Sequence, residues 1–279
     1  MSSKDEGTGS EQRSEHKEAS ELKAPSSKVV FHTISKEGEE ELQRPSSALF
    51  WSGLAAGLSM GFSMIAEGVL HAYLPDAPWR PLVAKFGYSA GFLIVILGRQ
   101  QLFTENTLTP ILPMLHGRAA ARPGNVLRLW SVVLAANLIG ALAVALVAAL
   151  TNAFEPDVKR AFAEIGHKAM EPGFATTLLR GIFAGWLIAL MVWLLPFAES
   201  ARVWVIIFIT YLVGIGHFSH IIAGAVEVFT LAAMGEAAWP SVLGSYIVPT
   251  LIGNVIGGVT LVAGLNYAQV TSGGEQLDM

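Results

Sequence analysis

The chain has no cysteine, little charge and no basic excess. Without cysteine it has no disulfide framework, no thiolate metal site and no thiol nucleophile. Only 14% of its 279 residues are charged, against about 25% in soluble globular domains. A net charge of −4 gives no electrostatic footprint for nucleic acid. Nor is there a nucleophile–base constellation, a phosphate-binding glycine loop or a convincing metal set, so the reading is not an enzyme and calls for no cofactor. What is present is apolar: 52% of residues are hydrophobic and the mean hydropathy is +0.50. That composition points to several membrane spans.

Charge concentrates at the start. Residues 1–44 hold 7 Lys or Arg and 10 Asp or Glu, and their polarity argues against a cleavable signal peptide. Residues 1–27 are expected to be disordered, for lack of apolar surface to bury. From 29 to 43 a weak stripe of Val30, Phe31, Ile34 and Leu42 suggests either an interfacial helix or a solvated charged one. Beyond it, five uncharged runs are long enough to span a bilayer. They are Ser46–Ala66, Leu129–Phe154, Gly181–Ala198, Val203–Val226 and Ala237–Ala268. A sixth span is split: Phe86–Gly98 and Asn106–Leu115 are each too short, and "RQQLFTE" lies between them. Irregular polar backbone at membrane depth is tolerated only where protein shields it or a cavity is lined by it. The interruption therefore implies an internal site or path. Arg118, Arg122 and Arg128 favour a cytoplasmic second loop and, with six spans, cytoplasmic termini. Arg80, Lys85, Lys159, Arg160 and Lys168 weigh against it.

The chain also repeats itself. "NLIGA" at Asn137–Ala141 returns as "NVIGG" at Asn254–Gly258, and "GLAAG" at Gly53–Gly57 returns as "GIFAG" at Gly181–Gly185. The offset between the asparagines carries Thr104 almost onto His220, inside "GIGHFSHIIAGAVE". Three spans followed by three more begin on opposite sides of the bilayer, so the repeats are inverted. The expected organisation is a tail at 1–44, a three-span repeat at 45–155, its inverted copy at 156–270 and a short tail at 271–279. Both second helices of these repeats are broken.

At these residues the sequence resembles the formate/nitrite transporter (channel) family. "LFTENT" looks like the family's signature at the break, and His220 in "FSHIIAG" matches its central histidine. The likeness runs from Ser46 to Ala268, closest to a branch with RQQLFTENT. It implies an all-α, aquaporin-like six-helix bundle, one pore per subunit of a homopentamer, in a bacterial inner membrane. It further implies conduction of small monovalent anions with proton movement. Tyr88, Phe92, Leu102 and Phe103 match the family's apolar constrictions, and Val213 replaces a phenylalanine. Thr104 matches the threonine facing the histidine, and Lys168 a vestibule lysine. Gln101, Ser219 and Gly224 depart from the family's acid, acid and asparagine.

On this reading His220 shares a proton with the passing anion, its ordinary pKa of about 6.5 lying near ambient pH. Thr104 orients it or simply caps a half-helix. Arg99, Glu105, His217 and Glu227 are accessory polar groups, with Arg99 expected to pair with Glu227 or Glu105. Asn137 and Asn254 are expected to bind backbone freed at the breaks. Two rivals stay open: a channel for a neutral small solute, and a non-conducting membrane scaffold.

Overall fold

The computed structural model describes residues 25–272. The expected disorder up to residue 24 and the tail after residue 272 lie outside them. Every element is helical among the described residues. Helix α1 (Ser27–Gln43) precedes α2 (Ser46–Tyr73). The second crossing comprises α3 (Arg80–Ala84), α4 (Ser89–Leu97), a 3-10 turn at Glu105–Thr107 and α5 (Ile111–Leu115). Helix α6 (Pro123–Leu150) completes the first half. The second half has α7 (Pro156–Met170), α8 (Phe174–Leu194), α9 (Arg202–Ile215), α10 (Ile221–Ala233) and α11 (Trp239–Ser272). Proline opens α6 and α7, where its missing N–H is not needed.

Among the described residues five helices are long and apolar enough to cross a membrane: Ser46–Tyr73, Arg80–Leu97, Pro123–Leu150, Phe174–Phe197 and Trp239–Ser272. These are not the five expected. The second crossing qualifies because its helical run starts at Arg80, earlier than the sequence suggested. The fifth drops out because α9 and α10 have 14 and 13 residues. The breaks are also unlike each other. Beyond His220 the chain resumes as a full helix, whereas beyond Thr104 it makes a 3-10 turn and one short helix. Pro110 and Pro113 account for this, since each removes a helix donor.

Packing exposes the repeat. Helix α2 lies against α6 as α8 lies against α11. A Cβ on Gly57 would overlap the main chain of Asn137, and one on Gly185 that of Asn254. The glycine pairs let the helices touch backbone to backbone.

The symmetry also reaches further back than expected. Gly38 of α1 abuts the carbonyl of Thr109, and Gly166 of α7 abuts that of Glu227. Gly38 and Gly166 are 128 residues apart, as are Gly53 and Gly181. Helix α1 thus stands to the first half as α7 stands to the second. Helix α1 buries Val30, Phe31, Ile34 and Leu42 against the bundle, chiefly along α5. Its apolar stripe is covered by protein.

Candidate functional site: a dry junction between two broken helices

Each break is held by one asparagine. The Phe103 N–H donates to Asn137 Oδ1 (2.9 Å), and Asn137 Nδ2 donates to the carbonyls of Gln101 (2.9 Å) and Gly53 (2.7 Å). In the other half the Ile221 N–H donates to Asn254 Oδ1 (2.9 Å). Asn254 Nδ2 donates to the carbonyls of Ser219 and Gly181, both at 2.8 Å. Both asparagines are fully buried. A helix interrupted in an apolar medium leaves N–H and C=O groups bare, at about 1–3 kcal/mol each. The asparagines supply the missing partners.

These contacts set the true register. Phe103 corresponds to Ile221 and Gln101 to Ser219, so the counterpart of His220 is Leu102, not Thr104. Arg99 then corresponds to His217. Both adopt the left-handed backbone, with φ of 50° and 51°. Behind each, the same wrap closes the half-helix: the Gln100 N–H donates to the Val95 carbonyl (2.9 Å) and the Phe218 N–H to the Val213 carbonyl (3.0 Å). Glycine usually fills this position, and a non-glycine residue there carries local strain.

Thr104 and His220 are not repeat mates, yet they meet. Thr104 Oγ1 lies 2.9 Å from His220 Nε2; both residues are buried. His220 Nδ1 accepts from the N–H groups of Ile222 (3.3 Å) and Ala223 (3.2 Å), capping α10. Two donors aimed at Nδ1 make it the acceptor. The ring is therefore neutral, with its proton on Nε2 and directed at Thr104. Thr104 makes no capping bond, so its hydroxyl is committed to the junction. Phe92 meets the imidazole edge-on (centroids 4.9 Å, 74°), and Tyr88 leans on Phe92 at 5.4 Å. Leu102, Phe103 and Val213 are buried as well. The result is an apolar plug with one polar couple at its centre.

A cavity opens on either side. One, of about 270 Å³, is lined by Glu67, Lys85, Tyr88, Lys168, His217, Ser219, Glu227 and Tyr246, and α7 runs along its rim. The other, of about 240 Å³, lies between α1 and the first break and is lined by Glu37, Arg99, Gln100, Gln101, Glu105 and Arg202. Arg99 and Glu227 thus face opposite mouths, which rules out their pairing. Arg99 shares its cavity with Glu105, but no carboxylate among the described residues comes within 4.0 Å of it. His217 does not share a helical face with His220, because the chain is non-helical between them. Gln101 Oε1 accepts from Asn106 Nδ2 (2.9 Å). Gly224 leaves the space that the Tyr246 hydroxyl occupies, since a Cβ there would collide with it. Tyr246 reaches that spot from a π-helical stretch, Val242–Ile247.

Sequence reasoning missed Glu67. Its carboxylate lies 2.5 Å from Lys85 Nζ, and both are largely buried. The signal was available: Glu67 is an acid inside a 28-residue apolar helix, and such groups are functional candidates by default. Ending the first span at Ala66 hid it.

Two vestibules separated by a buried polar couple, at the crossing of two interrupted helices, define an integral membrane protein of the channel class rather than an enzyme. The comparisons specify it. The formate/nitrite transporter family model matches residues 28–268, so the chain belongs to that family. It is 39% identical over 254 residues to the inner membrane protein YfdC of Escherichia coli, covering 91% of this chain and 82% of that protein. It is 25% identical to the uncharacterized transporter YwcJ of Bacillus subtilis, covering 77% and 86%. Among solved structures, a pentameric formate channel with formate bound matches with a TM-score of 0.69 at 20% identity, over 81% of this chain and 98% of that one. An FNT family ion channel matches with a TM-score of 0.74 at 18% identity, over 87% and 98%. These likenesses establish the shared fold.

Proposed function

We propose that the chain conducts small monovalent anions of the formate or nitrite type, with a proton, past His220. One pore is formed per subunit of a homopentamer in a bacterial inner membrane, both termini being cytoplasmic. The observation that carries this reading is the buried Thr104–His220 couple, held between two cavities by both broken helices. A bare anion at such a site suffers a large desolvation cost; the neutral acid does not. The couple offers hydrogen bonds to that acid while Phe92, Leu102 and Phe103 exclude water. Lys168, which lines the α7-side cavity, gathers anions at the mouth by focusing. The orientation gains support from Lys85. It counted among the loop cations opposing cytoplasmic termini, but it is a buried partner of Glu67. The pentamer and the solute class follow the solved relative, a pentameric formate channel with formate bound.

The test is flux into liposomes. His220→Phe is expected to abolish formate and nitrite uptake while the oligomer still assembles. Uptake at the normal rate, with the normal pH dependence, would refute the assignment. Wild-type protein that passes only neutral solutes, or nothing, would favour the rival readings.

A further inference from the structure

If the solute crosses as the neutral acid, a proton has to reach it first, and His220 cannot bring one. Its Nδ1 caps α10 through two backbone donors. Protonating that nitrogen would set donor against donor and place a cation at the positive end of a helix. Its Nε2–H is already engaged by Thr104. The loading site therefore lies outside the junction.

The α7-side vestibule holds the groups for it. Glu227 sits on α10 seven residues beyond His220, on the same face and about 10 Å along the axis. It is buried yet lines the cavity, and no cation among the described residues pairs with it. Lys85 is spent on Glu67 through Oε1, while Glu67 Oε2 is buried and has no hydrogen-bond partner. An orphaned buried carboxylate oxygen is costly, and Glu227 lines the same cavity as Glu67. Glu227 feels both Lys85 and Glu67 electrostatically.

The other groups facing the cavity do not compete. His71 is paired with Glu164 at 3.0 Å. Tyr88 and Tyr246 are phenols. His217 faces the positive charges of Lys168, Lys85 and Arg180. With Glu67, Glu227, Lys85 and Lys168 all ionised, these four groups sum to zero. An entering anion upsets that balance, and one proton on a carboxylate restores it.

We propose that Glu227, backed by Glu67 and Lys85, is the proton-loading site of the channel. Its carboxylate takes a proton from vestibule water and passes it to the anion before the junction. In that step the Glu227 O–H bond breaks, an O–H bond forms on the solute, and Glu227 is left as carboxylate to reload. The proposal rests on the anion reading above.

The experiment compares wild type, Glu227→Gln and Glu227→Asp in liposomes, following nitrite and formate uptake and internal acidification from pH 5 to 8. Glu227→Gln is expected to lose at least tenfold in uptake at pH 5 and to flatten the pH profile, with Glu227→Asp restoring the slope. Glu227→Gln with wild-type rate and slope overturns this inference alone. Wild type that passes neither anion overturns the anion reading and this inference with it. Should Glu227→Gln fail to assemble, infrared spectra of the wild type decide. Adding nitrite, which has no carboxyl group, is expected to raise a protonated-carboxyl band, and its absence overturns the proposal.

Discussion

Replacing Asn254 by leucine tests the idea that one amide holds each break open. The substitution keeps approximate volume and removes all three hydrogen bonds. The Gly181 carbonyl lies within α8 and keeps its place in that helix. The Ile221 N–H and the Ser219 carbonyl have no such alternative, because they flank the break itself. Two orphaned buried groups cost about 2–6 kcal/mol together, a large fraction of ordinary folding stability. The loss falls on the first turn of α10, which carries His220. Asn254→Leu is thus expected to lower the Tm of the detergent-solubilised oligomer and to end hydrogen-exchange protection of the Ile221 amide. Formate flux should fall as well. Asn137→Leu should do the same to the Phe103 amide. An Asn254→Leu protein with unchanged Tm and a still-protected Ile221 amide would refute the reasoning.

Two further outcomes follow from the packing and charge. Gly57→Leu is expected to force α2 from α6 at Asn137 and to prevent assembly on gel filtration, as is Gly185→Leu in the other half; a stable oligomer from either would contradict the backbone contact. On α1, Glu37 is exposed overall but lines the cavity with Arg99, and partial desolvation there raises its carboxyl above the ordinary 4.5, with Arg99 pulling in the other direction. A raised carboxyl pKa favours the docked, protonated form, so its contribution is present below 4.5 and lost as pH climbs through the raised value. Protease or hydrogen-exchange protection of α1 should therefore be greater at acid than at neutral pH, and Glu37→Gln should remove the difference.

Much of the fold was legible because lipid imposes simple demands. Uncharged runs of the right length mark spans, small-residue pairs mark close helix contacts, and polar residues in a span mark an interior. The breaks, the two asparagines and the meeting of Thr104 with His220 all follow from that logic or from the family motif. The errors share one cause. Span limits drawn at charges cut off Glu67 and began the second crossing too late, because a charge inside a helix looks like the end of one. The Arg99–Glu227 pairing failed because Arg99 lines the cavity beside the first break while Glu227, past the second, lines the cavity on the α7 side.

By itself, the sequence determined the apolar spans, their inverted repetition and the polar interruptions, since these depend on residue type and spacing along the chain. Only the tertiary structure decided that His220 faces its neighbour as a neutral helix cap, and that Leu102 is its mate in the repeat. It alone brought Glu67, Lys85 and Glu227 into one vestibule. Those facts depend on which atoms distant segments present to each other, and hydrogen-bond direction and charge pairing exist only once the segments have met.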